Sequence, residues 1–263
     1  MVQVDQPQTA DSWYWYRQGK HLQEQEQYPE AIACYDRSLA IQSDDYWTWY
    51  SRAQCYQALT KYAEAIASLD QALAARPNDY WAWYSRGVIA LENLDRFEDA
   101  LLSFQQALAA RANDYWAWYR HGDTLRHLGQ HQEAVASYDR ALALRSDDYW
   151  TWHRRGDALR HLGQHQEAVA SYQQALALDS GAYWSWYRQG DALRYLARYP
   201  EAIASYDRAI AIDPQDDYAW YNRACCAAKI GQTELALDSL NQAIILNERN
   251  RQLAQRDPDL ARL

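Results

Sequence analysis

Apolar and small residues along this chain recur at steps of three and four, in stretches that come as pairs separated by a short break. After Trp152 the series runs through Gly156 and Leu159, pauses at Leu162-Gly163-Gln164, and resumes with Ala168, Tyr172 and Ala175. Steps of that size put the residues on one face of a 3.6-residue helix, and a glycine at the pause is where one helix stops and the next begins. Pro29 and Pro200 fall in the opening turn of the second helix, where a missing N–H and a fixed φ cost little. Ahead of the first helix stand Asp44-Asp45, Asn78-Asp79, Asn113-Asp114, Asp147-Asp148 and Asp216-Asp217, short acceptors suited to the unpaired N–H groups of a helix start. Gly181-Ala182 takes that place once and predicts a weaker start.

The paired stretches repeat. Trp13/Trp15, Trp47/Trp49, Trp81/Trp83, Trp116/Trp118, Trp150/Trp152, Trp184/Trp186 and the single Trp220 include all 13 tryptophans, and their second members are 34 residues apart except for one step of 35. A period of this length predicts stacked helical hairpins in a solenoid, not a compact globule. The hairpins fall at about 12–45, 46–79, 80–114, 115–148, 149–182, 183–216 and 217–250, with a flexible segment at 1–11 and a capping segment at 251–263 over the last apolar face. The extra residue lies between Gly87 and Leu94 and predicts a bulge or a longer turn. Gly122, Gly156 and Gly190 are set to face Ala134, Ala168 and Ala202, and Ala141, Ala175 and Ala209, so that the two helices approach closely. The second tryptophan shares the face of that glycine and of the following leucine, which assigns it to the core.

These positions resemble the tetratricopeptide repeat (TPR) family, whose unit also has 34 residues and carries Trp, Gly, aromatic, Ala, aromatic and Ala at these intervals with Pro near its end. The resemblance covers about residues 12–250 and implies an all-α, right-handed superhelix of seven helix-turn-helix repeats with a C-terminal capping helix. The chain departs from the family pattern at Gln18, Arg52, Arg86, His121, Arg155, Gln189 and Arg223, where leucine is common, and keeps the final proline only at Pro77 and Pro214.

A second face of the first helix, roughly 80–160° from the core face, is aromatic and charged instead of simply polar. It reads Trp116, Tyr119, Arg120, Asp123 and Arg126, then Trp150, His153, Arg154, Asp157 and Arg160, then Trp184, Tyr187, Arg188, Asp191 and Arg194. The resemblance places this face in a concave groove where partners of the family bind as extended peptides or helices. Trp, Tyr and Arg dominate interface energetics, so a partner segment with acidic and apolar side chains suits them. The alternative is that the aromatic residues stack between neighbouring first helices and stiffen the array while the Arg–Asp pairs only solvate it. Earlier repeats offer Ser51, Gln54, Ser85 and Val88 instead, which centres the expected site on repeats four to six. Residues 115–148 and 149–182 are identical at 25 of 34 positions, a near-periodic groove or a recent duplication.

The remaining chemistry narrows the picture. A net charge of −9 and a pI of about 5.2, with aspartates interleaved among the arginines, disfavour nucleic acid; a carbohydrate or aromatic ligand on the tryptophans is a lesser alternative. The first residues carry no basic or apolar leader and no stretch approaches a membrane span, which predicts a cytoplasmic protein. Cys34, Cys55, Cys225 and Cys226 have no zinc or disulfide spacing and read as reduced, packed thiols, with Cys225 the one candidate for reactivity. His127/His131 and His161/His165 have a metal-like spacing of four but straddle the turn glycines, so neither metal nor cofactor is expected. No catalytic motif is present. The expected function is a non-catalytic binding scaffold, monomeric or weakly self-associating; the alternative is a structural array that self-associates.

Overall fold

The computed structural model describes residues 11–260, and the expectation of a flexible segment at 1–11 therefore falls almost wholly outside them. Every regular element among the described residues is a helix. Two units are compact in themselves, up to Leu128 and from Gly129 onward. The first holds α1 (Ser12–Glu24), α2 (Tyr28–Ile41), α3 (Tyr46–Ala58), α4 (Tyr62–Ala75), α5 (Tyr80–Glu92), α6 (Phe97–Ala110) and α7 (Tyr115–His127). The second holds α8 (His131–Leu144), α9 (Tyr149–His161), α10 (His165–Leu178), α11 (Tyr183–Tyr195), α12 (Tyr199–Ile212), α13 (Asp217–Lys229), α14 (Thr233–Leu246) and the short α15 (Arg249–Ala254). Within each unit, successive helices pack as pairs, α1 on α2 or α9 on α10, and each pair packs on the next. No described helix is long and apolar enough to cross a membrane.

The helix starts follow the aspartates. Asp11, Asp45, Asp79, Asp114, Asp148 and Asp216 are N-caps whose carboxylates accept from a backbone N–H in the first turn, whereas Ala182 ahead of α11 makes no such bond. The second helices have no side-chain cap bond and instead carry an acid in the first turn, such as Glu64 or Glu167, which favours the positive helix end. Between the paired helices one residue turns left-handed. Gly129, Gly163 and Gly231 do so at φ near 73°, but Glu26, Thr60, Asp95 and Ala197 take the same conformation at φ 51–59° with a Cβ present. The extra residue of the third repeat lengthens this turn: α5 keeps 13 residues, and Asn93–Arg96 bridge to α6 where three residues suffice elsewhere.

Packing corrects two expectations. The first-helix glycines meet an aromatic ring of the second helix as their nearest neighbour, not the alanines: a Cβ at Gly156 would lie 2.6 Å from Tyr172 Cε1, at Gly190 2.7 Å from Tyr206 and at Gly87 2.8 Å from Phe104. Alanine replaces glycine at Ala53 and Ala224, and there the second helix carries the smaller Leu69 and Leu240. The second tryptophans are not core residues but half-buried ones. Their indole N–H is satisfied at the surface, as Trp49, Trp83, Trp118, Trp152, Trp186 and Trp220 Nε1 each donate to the carbonyl six residues back at 2.7–3.1 Å. The core is built from the second-helix alanines and rings, such as Ala168, Tyr172 and Ala175, and from Leu159. At the C-terminus α15 is followed by a turn that drops Leu260 against Ala224, Cys225 and Leu240, so the last pair is closed by a helix and a plug.

Candidate functional site

The half-buried tryptophans carry a second regularity, seen from the residues around them. Where the residue three after the tryptophan is arginine, it bridges two second helices: Arg155 Nε bonds Asp139 at 2.6 Å and its Nη1 bonds Ser171 at 2.7 Å. Arg86 does the same with Asp70 and Ser103, and Arg223 with Asp207 and Ser239. The guanidiniums also lie 5.3–5.9 Å from the tryptophan centroids, within cation–π range. The sequence keeps these partners together. Asp36, Asp70, Asp139 and Asp207 are each followed 16 residues later by arginine, while Gln105 and Gln173 are followed by His121 and Gln189. Repeats lacking that arginine carry another at the tenth residue of the second helix, at Arg37, Arg140 and Arg208, where the others have Gln71, Gln106, Gln174 and Gln242. Arg37 lies 4.4 Å over Trp15. These residues were read from sequence only as departures from a leucine; their co-variation with an aspartate 16 positions back is the signal that identifies them.

The first tryptophans are among the large apolar residues that folding leaves in water. Their exposure runs from 49% at Trp116 to 60% at Trp13, with Trp150 and Trp184 at 50% and 54%. Trp150 is edge-on to Tyr149 and His153 and Trp184 edge-on to Tyr183 and Tyr187, each within its own helix. Arg154 and Arg188 lie 5.8 and 5.9 Å from those two rings. In the first unit, Arg76 and Arg111 lie 5.1 and 5.3 Å from Trp47 and Trp81, and Trp13, Tyr16, Ser38, Asp45 and Trp47 line a small cavity of about 90 Å³. Exposed tryptophan is thus not confined to the later repeats.

Below the tryptophans the other candidate residues form a paired polar floor. In the first unit Arg120 is 2.5 Å from Glu92 of α5, and Arg126 is 3.4 Å from the buried Asp123. Tyr119 is half-buried on the same face. In the second unit Asp157 accepts from Tyr172 Oη at 2.8 Å and lies 3.5 Å from His153 Nε2 and 3.9 Å from Arg154. Asp191 accepts from Tyr206 Oη at 2.9 Å and pairs with Arg188 at 3.4 Å. Burial raises the Asp191 carboxyl above its usual range, with the Tyr206 hydrogen bond and Arg188, Arg194 and Arg160 opposing. Burial likewise pushes Tyr187 up to about 12. Arg160 and Arg194 stand at the far end of the face, and the Nε of each is buried without a hydrogen-bond partner.

Neighbouring first helices are tied through this floor. The buried His153 Nδ1 is 2.8 Å from Ser185 Oγ, which donates to Tyr149 Oη at 3.1 Å, and Asn222 Nδ2 donates to Tyr187 Oη at 3.0 Å. The histidines near the turns stack in pairs from one repeat to the next: Phe97 on His127, His131 on His161, His165 on Tyr195, with centroids 4.6–4.9 Å apart. The histidines four apart therefore face different partners, each stacking on a ring 30 residues away in a neighbouring repeat. Cys225 is buried, and its thiol is pushed up by burial and by Asp257 and Asp259, so it is a protonated packing group. Cys225, Asp257 and Asp259 do cluster, but Asp257 accepts from Tyr221 Oη at 2.8 Å and Asp259 pairs with Lys229 at 2.6 Å.

Models of the tetratricopeptide repeat match residues 19–82, 114–180, 147–215 and 187–254. No curated protein matches the chain. Among solved structures, the C-terminal part of a TPR repeat-containing protein from Cytophaga hutchinsonii superposes with a TM-score of 0.70 at 16% identity, over 89% of this chain and 95% of that one. YrrB, described as a TPR protein with an unusual peptide-binding site, gives 0.65 at 23% identity over 70% and 95%. MamA from Desulfovibrio magneticus gives 0.61 at 19% identity over 65% and 96%. Identities this low speak for the fold alone. The repeat models and the succession of helix pairs together establish that the chain belongs to the tetratricopeptide repeat family.

Proposed function

We propose that the chain is a non-catalytic binding scaffold that captures a protein segment on the first-helix face bearing the exposed tryptophans. The observation that carries this reading is that Trp150 and Trp184 stay half exposed after folding, each with an arginine beside its ring. Large rigid rings already held in place lose little entropy on binding, and they are the residues that most often anchor interfaces. The floor beneath them, with His153, Asp157, Tyr187 and Asp191, positions the helices, while Arg154, Arg160, Arg188 and Arg194 select acidic side chains of the ligand. This divides the two alternatives for the face by residue: the first tryptophans bind and the buried polar groups stiffen. The like face of α7, with Trp116, Tyr119, Arg120, Asp123 and Arg126, offers the same chemistry in its own unit. The peptide-binding site described for YrrB supports the class of ligand.

The test is a display library of 12-residue peptides, selected on the wild-type chain and measured again on Trp116→Ala/Trp150→Ala/Trp184→Ala. Selection should enrich peptides with acidic and aromatic or aliphatic residues, and the triple variant should bind them at least tenfold more weakly while keeping its circular dichroism. Equal binding by the folded variant would reject the site.

A further inference from the structure

The arginine code around the second tryptophans breaks where His121 follows Gln105 and where Gln189 follows Gln173, and at the second of these a cleft opens. Between α10, α11 and α12 a cavity of about 290 Å³ is lined by Gln173, Trp186, Gln189, Glu201, Ser205 and Arg208. Trp186 is fixed at its edge, because Nε1 donates to Ser180 O at 2.9 Å, and only its ring face remains available. In five other repeats a guanidinium lies over that face, from Arg37 at 4.4 Å over Trp15 to Arg155 at 5.9 Å over Trp152. Here Gln189 replaces the arginine, and its Oε1 is held by Ser205 Oγ at 3.0 Å. Arg208, the counterpart of Arg37, lines the cleft. Trp186 is two positions from the exposed Trp184, about 200° around the helix, so this is a different face from the one proposed above.

We propose that this cleft binds one neutral, hydroxyl-rich ring: a single pyranose unit stacked on Trp186. The flat indole face matches the C–H face of such a ring. The amides of Gln173 and Gln189 each offer a donor and an acceptor, as hydroxyl groups require. Glu201 and Arg208 bring opposite charges to the walls, so an ionic ligand meets a like charge together with its partner. Glu201 is moreover already bonded by Arg198 Nε at 2.8 Å. The volume lies at the small end for ligand cavities, enough for one ring and not for a chain.

The experiment uses the full chain labelled with ¹⁵N, with the indole N–H signal of Trp186 assigned by Trp186→Phe. It is titrated with the methyl glycosides of glucose, galactose and mannose, and with glucuronate and glucosamine as charged counterparts. A saturable shift of the Trp186 signal is expected with at least one neutral glycoside, with its charged counterparts binding at least threefold more weakly. Gln173→Asp/Gln189→Arg rebuilds the Asp139–Arg155 arrangement, covers the ring and keeps the fold, and should weaken binding at least tenfold with unchanged circular dichroism. No shift with any of the three glycosides overturns the proposal, as does binding that survives the double variant or that favours the charged sugars.

Discussion

Trp150 and Trp152 stand two positions apart on one helix and have opposite surroundings. Trp152 is half-buried, donates its N–H to Ser146 O at 2.9 Å, and carries Arg155, itself bonded to Asp139 and Ser171 of two second helices. Trp150 is 50% exposed and touches residues of its own helix, Tyr149, His153 and Arg154. The same side chain therefore serves as a joint on one face and as an unused contact surface on the other. Composition cannot separate the two roles. The network of partners does: a tryptophan whose edge and face are both occupied holds the fold, and one whose face is left in water is available to a ligand.

The strongest way to break this comparison is to delete each member in turn. Trp152→Ala should cost about 2–4 kcal/mol, for lost packing and the released Ser146 carbonyl, while Trp150→Ala should stay within about 1 kcal/mol; urea titrations of both variants measure the contrast. Next comes the close approach behind the joint. Gly156→Ala puts a Cβ 2.6 Å from the Tyr172 ring and should destabilise by about 1–3 kcal/mol, and adding Tyr172→Leu, which restores the Ala53–Leu69 combination, should recover most of that loss. A double-mutant cycle on Asp139 and Arg155 should give a coupling of about 1 kcal/mol, because the carboxylate is half exposed and screened. The smallest effect is a gain. Ala197→Gly relieves a left-handed alanine and should raise stability by about 0.5–1 kcal/mol, whereas Gly163→Ala should lower it.

His121 extends the comparison to pH. It occupies the arginine position beside Trp118, and burial lowers its pKa from 6.5 to about 4. A histidine depressed in the folded state lets the unfolded chain take up a proton first as pH falls. Its contribution is therefore complete above about pH 6.5 and is lost on going down to about pH 4. His121→Gln should flatten that part of the stability profile, as followed by urea midpoints between pH 7 and 4.

Much of the fold was legible because its signals are local. The aspartate caps, the prolines, the turn glycines and the 34-residue step each act within a few residues, and the inserted residue fell in the Asn93–Arg96 turn, one of the two outcomes its position allowed. The tryptophan pair was harder to read. Helical phase puts the second tryptophan on the core side, but the ring ends half out, packed on the edge of the core and anchored by its N–H. The helical pattern does not mark the tyrosine ahead of the first tryptophan as a packing residue, although Tyr46 is buried and donates to Asp79, the N-cap of α5, at 2.7 Å. Of the candidate face, the sequence could place side chains on one side of a helix but not sort them by burial. His153 and Asp191 lie beneath the surface because tyrosines of the second helix and neighbouring first helices reach them, contacts that the helical period alone cannot reveal.

The most direct measurement pairs stability with binding on two variants, Trp150→Ala/Trp184→Ala and Trp152→Ala/Trp186→Ala, using one peptide selected on the wild type. Exposed tryptophans that bind and half-buried ones that hold the fold require the first variant to melt within about 3 °C of wild type while losing at least tenfold in affinity, and the second to melt far lower. A first variant that binds normally, or that unfolds as readily as the second, contradicts the division of labour.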